Sequence, residues 1–222
     1  ATYRLNSADA GRTLSVRVTG TKTGYTSVTK SSTATAAVTA GTLAPAPVPT
    51  ISGTTRVGYT LTANPGTWGP APVNLTYQWY RSGTAITGAT AATYRLNSAD
   101  AGRTLSVRVT GTKTGYTTAT KSSTATAAVT AGTLAPAPVP TISGTTRVGY
   151  TLTANPGTWG PAPVNLTYQW YRSGTAITGA TAATYRLNSA DAGKTLSVRV
   201  TGTKTGYTTS TRASASTLQI AR

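Results

Sequence analysis

The 222-residue sequence contains no cysteine, histidine, methionine, phenylalanine or glutamate. The absence of cysteine excludes a disulfide framework and thiolate metal ligands. A chain without cysteine or methionine also offers oxidants no sulfur, which suits an extracellular environment. No apolar run approaches the roughly 18 residues that a membrane-spanning helix requires, so the sequence predicts no membrane span.

Carboxylates are nearly absent, and this shortage argues against catalysis. Asp9, Asp100 and Asp191 are the only carboxylate side chains, and each lies in the sequence Ser-Ala-Asp-Ala-Gly. Acid–base pairs and catalytic triads need two or three titrating groups close together, and calcium sites need several oxygen ligands. The sequence therefore predicts no enzyme, no catalytic residue, no metal site and no cofactor. We expect each Asp to accept backbone N–H hydrogen bonds in a turn.

Positive charge is abundant by contrast, with 20 Lys and Arg giving a net charge of +17. Such an excess favours either binding to a polyanion, such as an anionic cell-wall polymer or acidic polysaccharide, or a surface kept soluble by self-repulsion. The cations are scattered singly, and no nucleic-acid motif accompanies them, so we expect no specific nucleic-acid partner. The complete repeat described below carries seven of them: Arg56, Arg81, Arg95, Arg103, Arg108, Lys113 and Lys121.

The sequence repeats itself with a period of 91 residues, because the segment starting at Ala1 returns at Ala92 and Ala183. This period is too long for a solenoid unit and typical of a small domain. We assign 1–47 to the C-terminal half of a repeat plus linker, 48–138 to a complete repeat, and 139–222 to a complete C-terminal repeat. The Pro-rich residues 130–140 are predicted to be a semi-rigid extended connector.

Alternating apolar residues within each repeat predict strands. Residues 75–81 place Leu75, Tyr77 and Trp79 on one face, and residues 104–109 place Leu105 and Val107 inward. About seven short strands with turns every 8–12 residues are typical of an antiparallel β-sandwich. Trp79 and its equivalent Trp170 have inward parity, so we predict that both are structural core residues.

Three motifs resemble tandem bacterial immunoglobulin-like domains of actinobacterial cell-surface and secreted proteins. They are Tyr-Gln-Trp-Tyr-Arg at 77–81, Ala-Asp-Ala-Gly at 99–102 and Leu-x-Val-x-Val at 105–109. The resemblance implies an immunoglobulin-like fold, a core Trp79 in the third strand, joining by short Pro-rich linkers, and an extracellular or cell-surface location. Both cysteines of antibody-type domains are missing, so core packing must replace the disulfide.

Two sets of residues are candidate ligand contacts. Trp68 and Trp159 lie in Asn-Pro-Gly-Thr-Trp-Gly-Pro, outside the alternation, where an indole either stacks on a sugar ring or packs against its proline neighbours or a domain junction. Arginines that share an outward parity on neighbouring strands, and are therefore expected to act side by side, are the candidates for an electrostatic contact: Arg95 with Arg108, and Arg186 with Arg199.

The two ends of the chain depart from the repeat. Residues 1–41 correspond only to the second half of a repeat, so their inner face and sheet edges are expected to be open until the missing half is supplied upstream or by another chain. Residues 212–220 differ from the internal copies, and Ser216 to Ile220 are predicted to form a strand of a capping last repeat. We therefore expect the C-terminal part of a longer array.

Three functions remain open at this point. The first is a non-enzymatic extracellular stalk or adhesive array, either on a bacterial surface or as the tail of a secreted enzyme. The second is a binding module for anionic or carbohydrate cell-wall polymers. The third is a display domain on a phage or filament.

Overall fold

The computed structural model describes all residues from Ala1 to Arg222, and its regular elements are β-strands and three short 3-10 turns. The chain forms two compact units whose segments are interleaved in sequence. Unit 1 comprises Ala1–Thr55, Tyr59–Arg95 and Arg103–Ala128, and unit 2 comprises Arg56–Gly58, Leu96–Gly102 and Val129–Arg222. The repeat boundaries at residues 48 and 139 stay a prediction beside this division.

Unit 1 contains the first eleven strands and the turn Ser7–Asp9. The strands are β1 (Arg17–Gly20), β2 (Val28–Ser31), β3 (Gly41–Thr42), β4 (Thr50–Ser52), β5 (Thr60–Asn64), β6 (Asn74–Arg81), β7 (Thr84–Ala85), β8 (Thr93–Arg95), β9 (Leu105–Thr112), β10 (Tyr116–Thr117) and β11 (Ala119–Ser122).

Two antiparallel sheets make up the main body of unit 1, with strand orders β4-β5-β8 and β11-β9-β6-β7. β6 and β9 pair along their whole length, from Asn74 opposite Thr112 to Arg81 opposite Leu105. β8 and β9 follow one another in sequence and lie in different sheets. This crossing between two antiparallel sheets gives a β-sandwich, as the alternation predicts, and its immunoglobulin-like form agrees with what the resemblance implies.

The core of unit 1 follows from the alternation. Leu105, Val107 and Val109 of β9 are buried, while Arg108 between them is exposed. Trp79 is fully buried, and its indole N–H donates to the carbonyl of Ala91 at 2.9 Å. Because the one polar atom of the ring is satisfied, its burial stabilises the sandwich at little cost.

Unit 2 repeats this arrangement with nine strands and the turns Ser98–Asp100 and Ser189–Asp191. Its sheets have the orders β13-β14-β17 and β16-β15-β18-β20, and Trp170 lies fully buried between them with Leu152 and Val198. The strands are β12 (Gly132–Thr133), β13 (Thr141–Ser143), β14 (Thr151–Asn155), β15 (Asn165–Arg172), β16 (Thr175–Ala176), β17 (Thr184–Arg186), β18 (Leu196–Thr203), β19 (Tyr207–Thr208) and β20 (Ser210–Ala213).

Part of the predicted connector at residues 130–140 belongs to the sandwich of unit 2. β12 pairs in parallel with β19, and Leu134 packs with Trp159 and Val200 in a second core cluster. Gly132 is required here because an added Cβ would lie 2.5 Å from the ring of Tyr207. Residues 132–134 of the predicted semi-rigid connector thus contribute a two-residue strand and a buried Leu134 to unit 2.

The predicted last strand, Ser216 to Ile220, is wrong. Regular pairing ends with β20 at Ala213, and beyond it only isolated bridges form, from Ile220 to Ala192 and from Ala221 to Arg147. The physical reason lies in the hydroxyl groups of this segment. The hydroxyl groups of Ser214 and Thr217 accept the backbone N–H groups of Val198 and Leu196 at 3.0 Å, while the N–H groups of Ser214 and Thr217 donate to the carbonyls of the same two residues at 2.9 and 2.8 Å. A hydroxyl thus replaces one of the two backbone bonds at each position, and no regular ladder forms.

Residues 1–40, which we call the half-repeat, keep a defined local structure. β1 and β2 form an antiparallel hairpin, and the N–H of Gly11 donates to the carbonyl of Val38 at 2.7 Å. The apolar side chains that have inward parity in a complete repeat are exposed here, including Leu5, Val16 and Val18. None of the helical turns in the chain is long or apolar enough to cross a membrane.

Candidate functional site

The outer face of the four-stranded sheet of unit 1 carries a regular polar array. Arg108 lies opposite Gln78 of β6 and opposite Ser122 of β11. Two residues further along β9, on the same face, Thr110 lies opposite Thr76 and Thr120. The sheet thus displays hydroxyl and guanidinium groups that can hydrogen-bond to a polar polymer, while the amide of Gln78 already donates to the carbonyls of Trp79 and Ile86.

The arginine of this face is positioned by an aromatic ring. The guanidinium of Arg108 lies over Tyr80, 4.9 Å from the ring centroid. Unit 2 repeats the pair, with Arg199 at 4.5 Å from the centroid of Tyr171. A cation held over a tyrosine ring keeps its charge exposed and loses side-chain freedom in advance of any ligand.

The structure separates the four candidate arginines into two groups. Arg95 lies opposite Thr60 in the three-stranded sheet of unit 1, and Arg186 lies opposite Thr151 in that of unit 2. Outward side chains of two packed sheets point away from each other. The prediction that Arg95 acts beside Arg108, and Arg186 beside Arg199, is therefore wrong, because consecutive strands in sequence cross to opposite sheets.

Trp68 and Trp159 are buried rather than presented on a loop. Each is 5% exposed, and the indole of Trp68 donates to the carbonyl of Pro65 at 3.0 Å. Trp68 packs with Leu43 and Val109, and Trp159 occupies the matching position in unit 2. A ring with both faces in contact with protein cannot stack on a sugar, so the interpretation of these residues as ligand contacts is corrected. The alternative, packing against neighbours, describes them.

Each Asp closes its turn by accepting a backbone hydrogen bond. The N–H of Asn97 donates to Asp100 at 2.7 Å, and the N–H groups of Asn6 and Asn188 donate to Asp9 and Asp191 at 2.8 Å. In all three turns the Asn side chain returns a bond to the backbone, which makes a capping box.

Sequence reasoning missed the ion pair that compensates the buried Asp191. Arg172 Nε lies 2.6 Å from Asp191 Oδ1, and the carboxylate is fully buried. This hydrogen bond raises the pKa of Arg172 above its ordinary value. Strand alternation could have predicted this ion pair, because Arg172 follows Trp170 by two residues and therefore points inward from β15.

Tyr185 completes this buried group. Its ring packs on Trp170 with the centroids 5.8 Å apart, and its hydroxyl donates to Asp191 at 3.2 Å. Burial and the neighbouring Asp191 charge raise the pKa of Tyr185.

Other cations also donate hydrogen bonds to backbone carbonyl groups. Lys113 donates to the carbonyl of Pro72 at 2.9 Å, and Lys204 donates to Pro163 at the same distance. Arg147 donates to the carbonyl of Arg222 at 2.9 Å. These three cations keep their charge, and each has part of its hydrogen-bonding capacity occupied by the backbone.

A cleft of about 780 Å³ lies within unit 1. Its one charged lining residue, Lys113, already binds Pro72, so the cleft offers a ligand mainly hydroxyl and amide groups. Nowhere in the chain do three His, Cys, Asp or Glu side chains come together. The lining residues are Ser7, Pro72, Val73, Asn74, Thr112, Lys113, Thr114 and Thr118.

Comparison with known proteins finds matches only among solved structures. No protein-family model and no curated protein sequence matches the chain. Among solved structures, the tandem Ig repeats of Dlar match with 14% sequence identity and a TM-score of 0.24, covering 78% of this chain and 97% of the other. The immunoglobulin-like assignment rests on the strand order and the buried core described above.

Proposed function

We propose that this chain is a non-enzymatic extracellular stalk or adhesive array. Its complete sandwiches bury their own cores, and the three Asp side chains are used in turns. The observation that carries the stalk proposal is a contact within each unit between the turn of one repeat and a loop of the next.

This contact, which we call the joint, is the same in both units. In unit 1 an added Cβ at Gly115 would lie 2.5 Å from the carbonyl oxygen of Ser7, and in unit 2 one at Gly206 would lie 2.7 Å from Cα of Ser98. The N–H of Gly41 also donates to the carbonyl of Gly115 at 2.9 Å. Close backbone approach and pairing limit rotation at a joint, as a spacer requires.

The chain supplies a matched control for testing the joint. Gly115 and Gly206 have φ of +78°, while Gly88 and Gly179 have φ of +75° with no atom within 4 Å of an added Cβ. Alanine imposes similar backbone strain at all four positions. The Gly115→Ala, Gly206→Ala variant loses the joints, and the Gly88→Ala, Gly179→Ala variant keeps them.

Small-angle scattering of the full chain measures the effect. We expect an elongated particle, unchanged by chelator, for the natural protein and for the Gly88, Gly179 control. The Gly115, Gly206 variant should show a broader distribution of dimensions. Equal scattering from both variants, or a compact natural protein, contradicts the stalk proposal.

A second candidate function is binding of an anionic cell-wall polymer, and the Tyr80–Arg108 and Tyr171–Arg199 pairs favour it. Retention on immobilised polymer should fall steeply between roughly 50 and 200 mM salt if charge dominates. Arg108→Ser with Arg199→Ser should weaken retention more than the control Arg95→Ser with Arg186→Ser. Equal loss of retention from the two double variants would mean that the polymer is attracted by overall charge and not by this face. If the natural protein is not retained even at low salt, the polymer-binding function is excluded and the spacer function remains.

A further inference from the structure

A small pocket of about 260 Å³ lies in unit 2, where β15 ends and turns into β16. Two cations, two residues with hydroxyl groups and two apolar residues line it: Arg172, Ser173, Thr175, Ala176, Ile177 and Lys194. Sites for whole organic molecules measure about 300–1,000 Å³. This pocket is therefore of a size for one small chemical group, and its two cations favour an anionic group.

The arginine of this pocket is held in place before any ligand binds. Its Nε donates to the fully buried Asp191 at 2.6 Å, and its Nη2 donates to the hydroxyl of Tyr185 at 3.3 Å. A guanidinium carries five N–H donors, so Arg172 keeps donors beyond these two bonds, and 28% of its side chain is exposed. Because its inner edge is already fixed, little side-chain entropy is lost when its outer edge binds an oxyanion.

Lys194 gives the pocket a net positive charge. The charges of Arg172 and Asp191 offset each other, whereas Lys194 is exposed and forms no ion pair. The pairing of β15 with β18 brings the two cations together, because the N–H of Ser173 donates to the carbonyl of Thr195 at 2.8 Å. The exposed hydroxyl of Ser173 adds a neutral donor at the rim of the pocket.

The first complete repeat carries the same set of residue types in unit 1. The equivalent residues are Arg81, Ser82, Thr84, Ala85, Ile86 and Arg103. All are identical to their counterparts except the last, where one cation replaces another. Arg103 is exposed although the chain continues through a whole further repeat, so the accessibility of this position does not come from the end of the sequence.

We propose that this pocket binds a tetrahedral oxyanion, a phosphate or sulfate group, either as the free ion or as an ester on a sugar. The outer N–H groups of Arg172, the ammonium of Lys194 and the hydroxyl of Ser173 bind its oxygens. A phosphate or sulfate group has an oxygen for each of these three residues, whereas a carboxylate has only two oxygens. This inference depends neither on the stalk proposal nor on the polymer-binding face that carries Arg108 and Arg199.

Nuclear magnetic resonance titrations of the full chain test the proposal, with inorganic phosphate, inorganic sulfate, glucose 6-phosphate and acetate as probes at constant ionic strength. We expect the amide signals of Ser173 and Lys194 to shift and saturate with a tetrahedral anion and to stay in place with acetate. Binding of glucose 6-phosphate at least as tight as that of inorganic phosphate identifies an ester as the source, and binding of the inorganic ions alone identifies the free ion. Saturation with none of the three tetrahedral probes, or equal binding of acetate, overturns the proposal.

Matched double variants separate the pocket from general attraction by charge. Lys194→Ser with Arg103→Ser should weaken phosphate binding by about tenfold, the order expected for a lost charged hydrogen bond. Arg95→Ser with Arg186→Ser removes the same charge at exposed positions outside the pocket and should leave binding unchanged. Lys194→Arg, which copies the first complete repeat, should keep binding. The urea midpoint of each variant, which should equal that of the natural protein, controls for folding. Equal weakening by the two double variants overturns the proposal.

Discussion

Residues 1–40 and residues 92–131 differ at only two positions, Ser27 against Thr118 and Val28 against Ala119, yet their apolar side chains have opposite environments. Val16 is 60% exposed, while Val107 is fully buried. Local features are unchanged, since both segments form the capping box at their Asp turn. The comparison teaches that alternation decides which face of its strand a side chain occupies, and that burial of that face requires the other half of the sandwich.

The largest effect is expected where the complete repeat has a residue that the half-repeat lacks altogether. Trp79→Ala or Trp170→Ala removes a fully buried ring and should lower the free energy of unfolding by about 3–5 kcal/mol. Urea denaturation followed by circular dichroism measures the loss. Tyr25→Ala, at a ring that is 70% exposed, serves as the control and should change stability little.

A pair of identical residues in identical local sequence tests the comparison most directly. Leu96 is 2% exposed and Leu5 is 54% exposed. Leu96→Ala should cost about 2–5 kcal/mol because it leaves a cavity, while Leu5→Ala should fall within about 0.5 kcal/mol of the natural protein. Similar losses for the two substitutions would mean that the half-repeat is covered in solution.

The ion pair provides a smaller contrast. Arg172→Leu leaves Asp191 buried without its cation, and we expect a loss of about 1–3 kcal/mol. Asp9, which keeps its Tyr3 and Asn6 bonds in the half-repeat, should give a smaller loss when it is changed to Asn. Guanidinium denaturation at neutral pH compares them. If Asp9→Asn lowers the free energy of unfolding as much as Arg172→Leu does, the expected difference between the two turns is contradicted.

The smallest effect concerns alkaline pH. The pKa of Tyr185 is raised above its ordinary value of 10.0 in the folded protein, first by burial and then by the charge of Asp191. The stability it contributes is therefore fully present below pH 10 and is lost as the pH rises through the folded pKa. Denaturation between about pH 9 and 11 should show a steeper decline for the natural protein than for Tyr185→Phe. Parallel curves contradict the assignment.

The sequence by itself determined the repeat, the β-sandwich class and the inward positions of Trp79 and Trp170. These features depend on period, composition and parity, all of which are local properties of the chain. The turn role of the Asp residues was also local, because an Asp side chain reaches the backbone three residues away.

Only the tertiary structure decided which sheet each strand joins. Arg95 and Arg108 share outward parity, but the crossing between β8 and β9 places them on opposite faces, and parity contains no information about such a crossing. The same limit applies to Trp68, whose burial depends on Leu43 and Val109. It applies also to Arg172, whose partner Asp191 lies 19 residues away in the sequence. Burial is a property of two halves that meet in space, which is why the same leucine lies in water at residue 5 and in a core at residue 96.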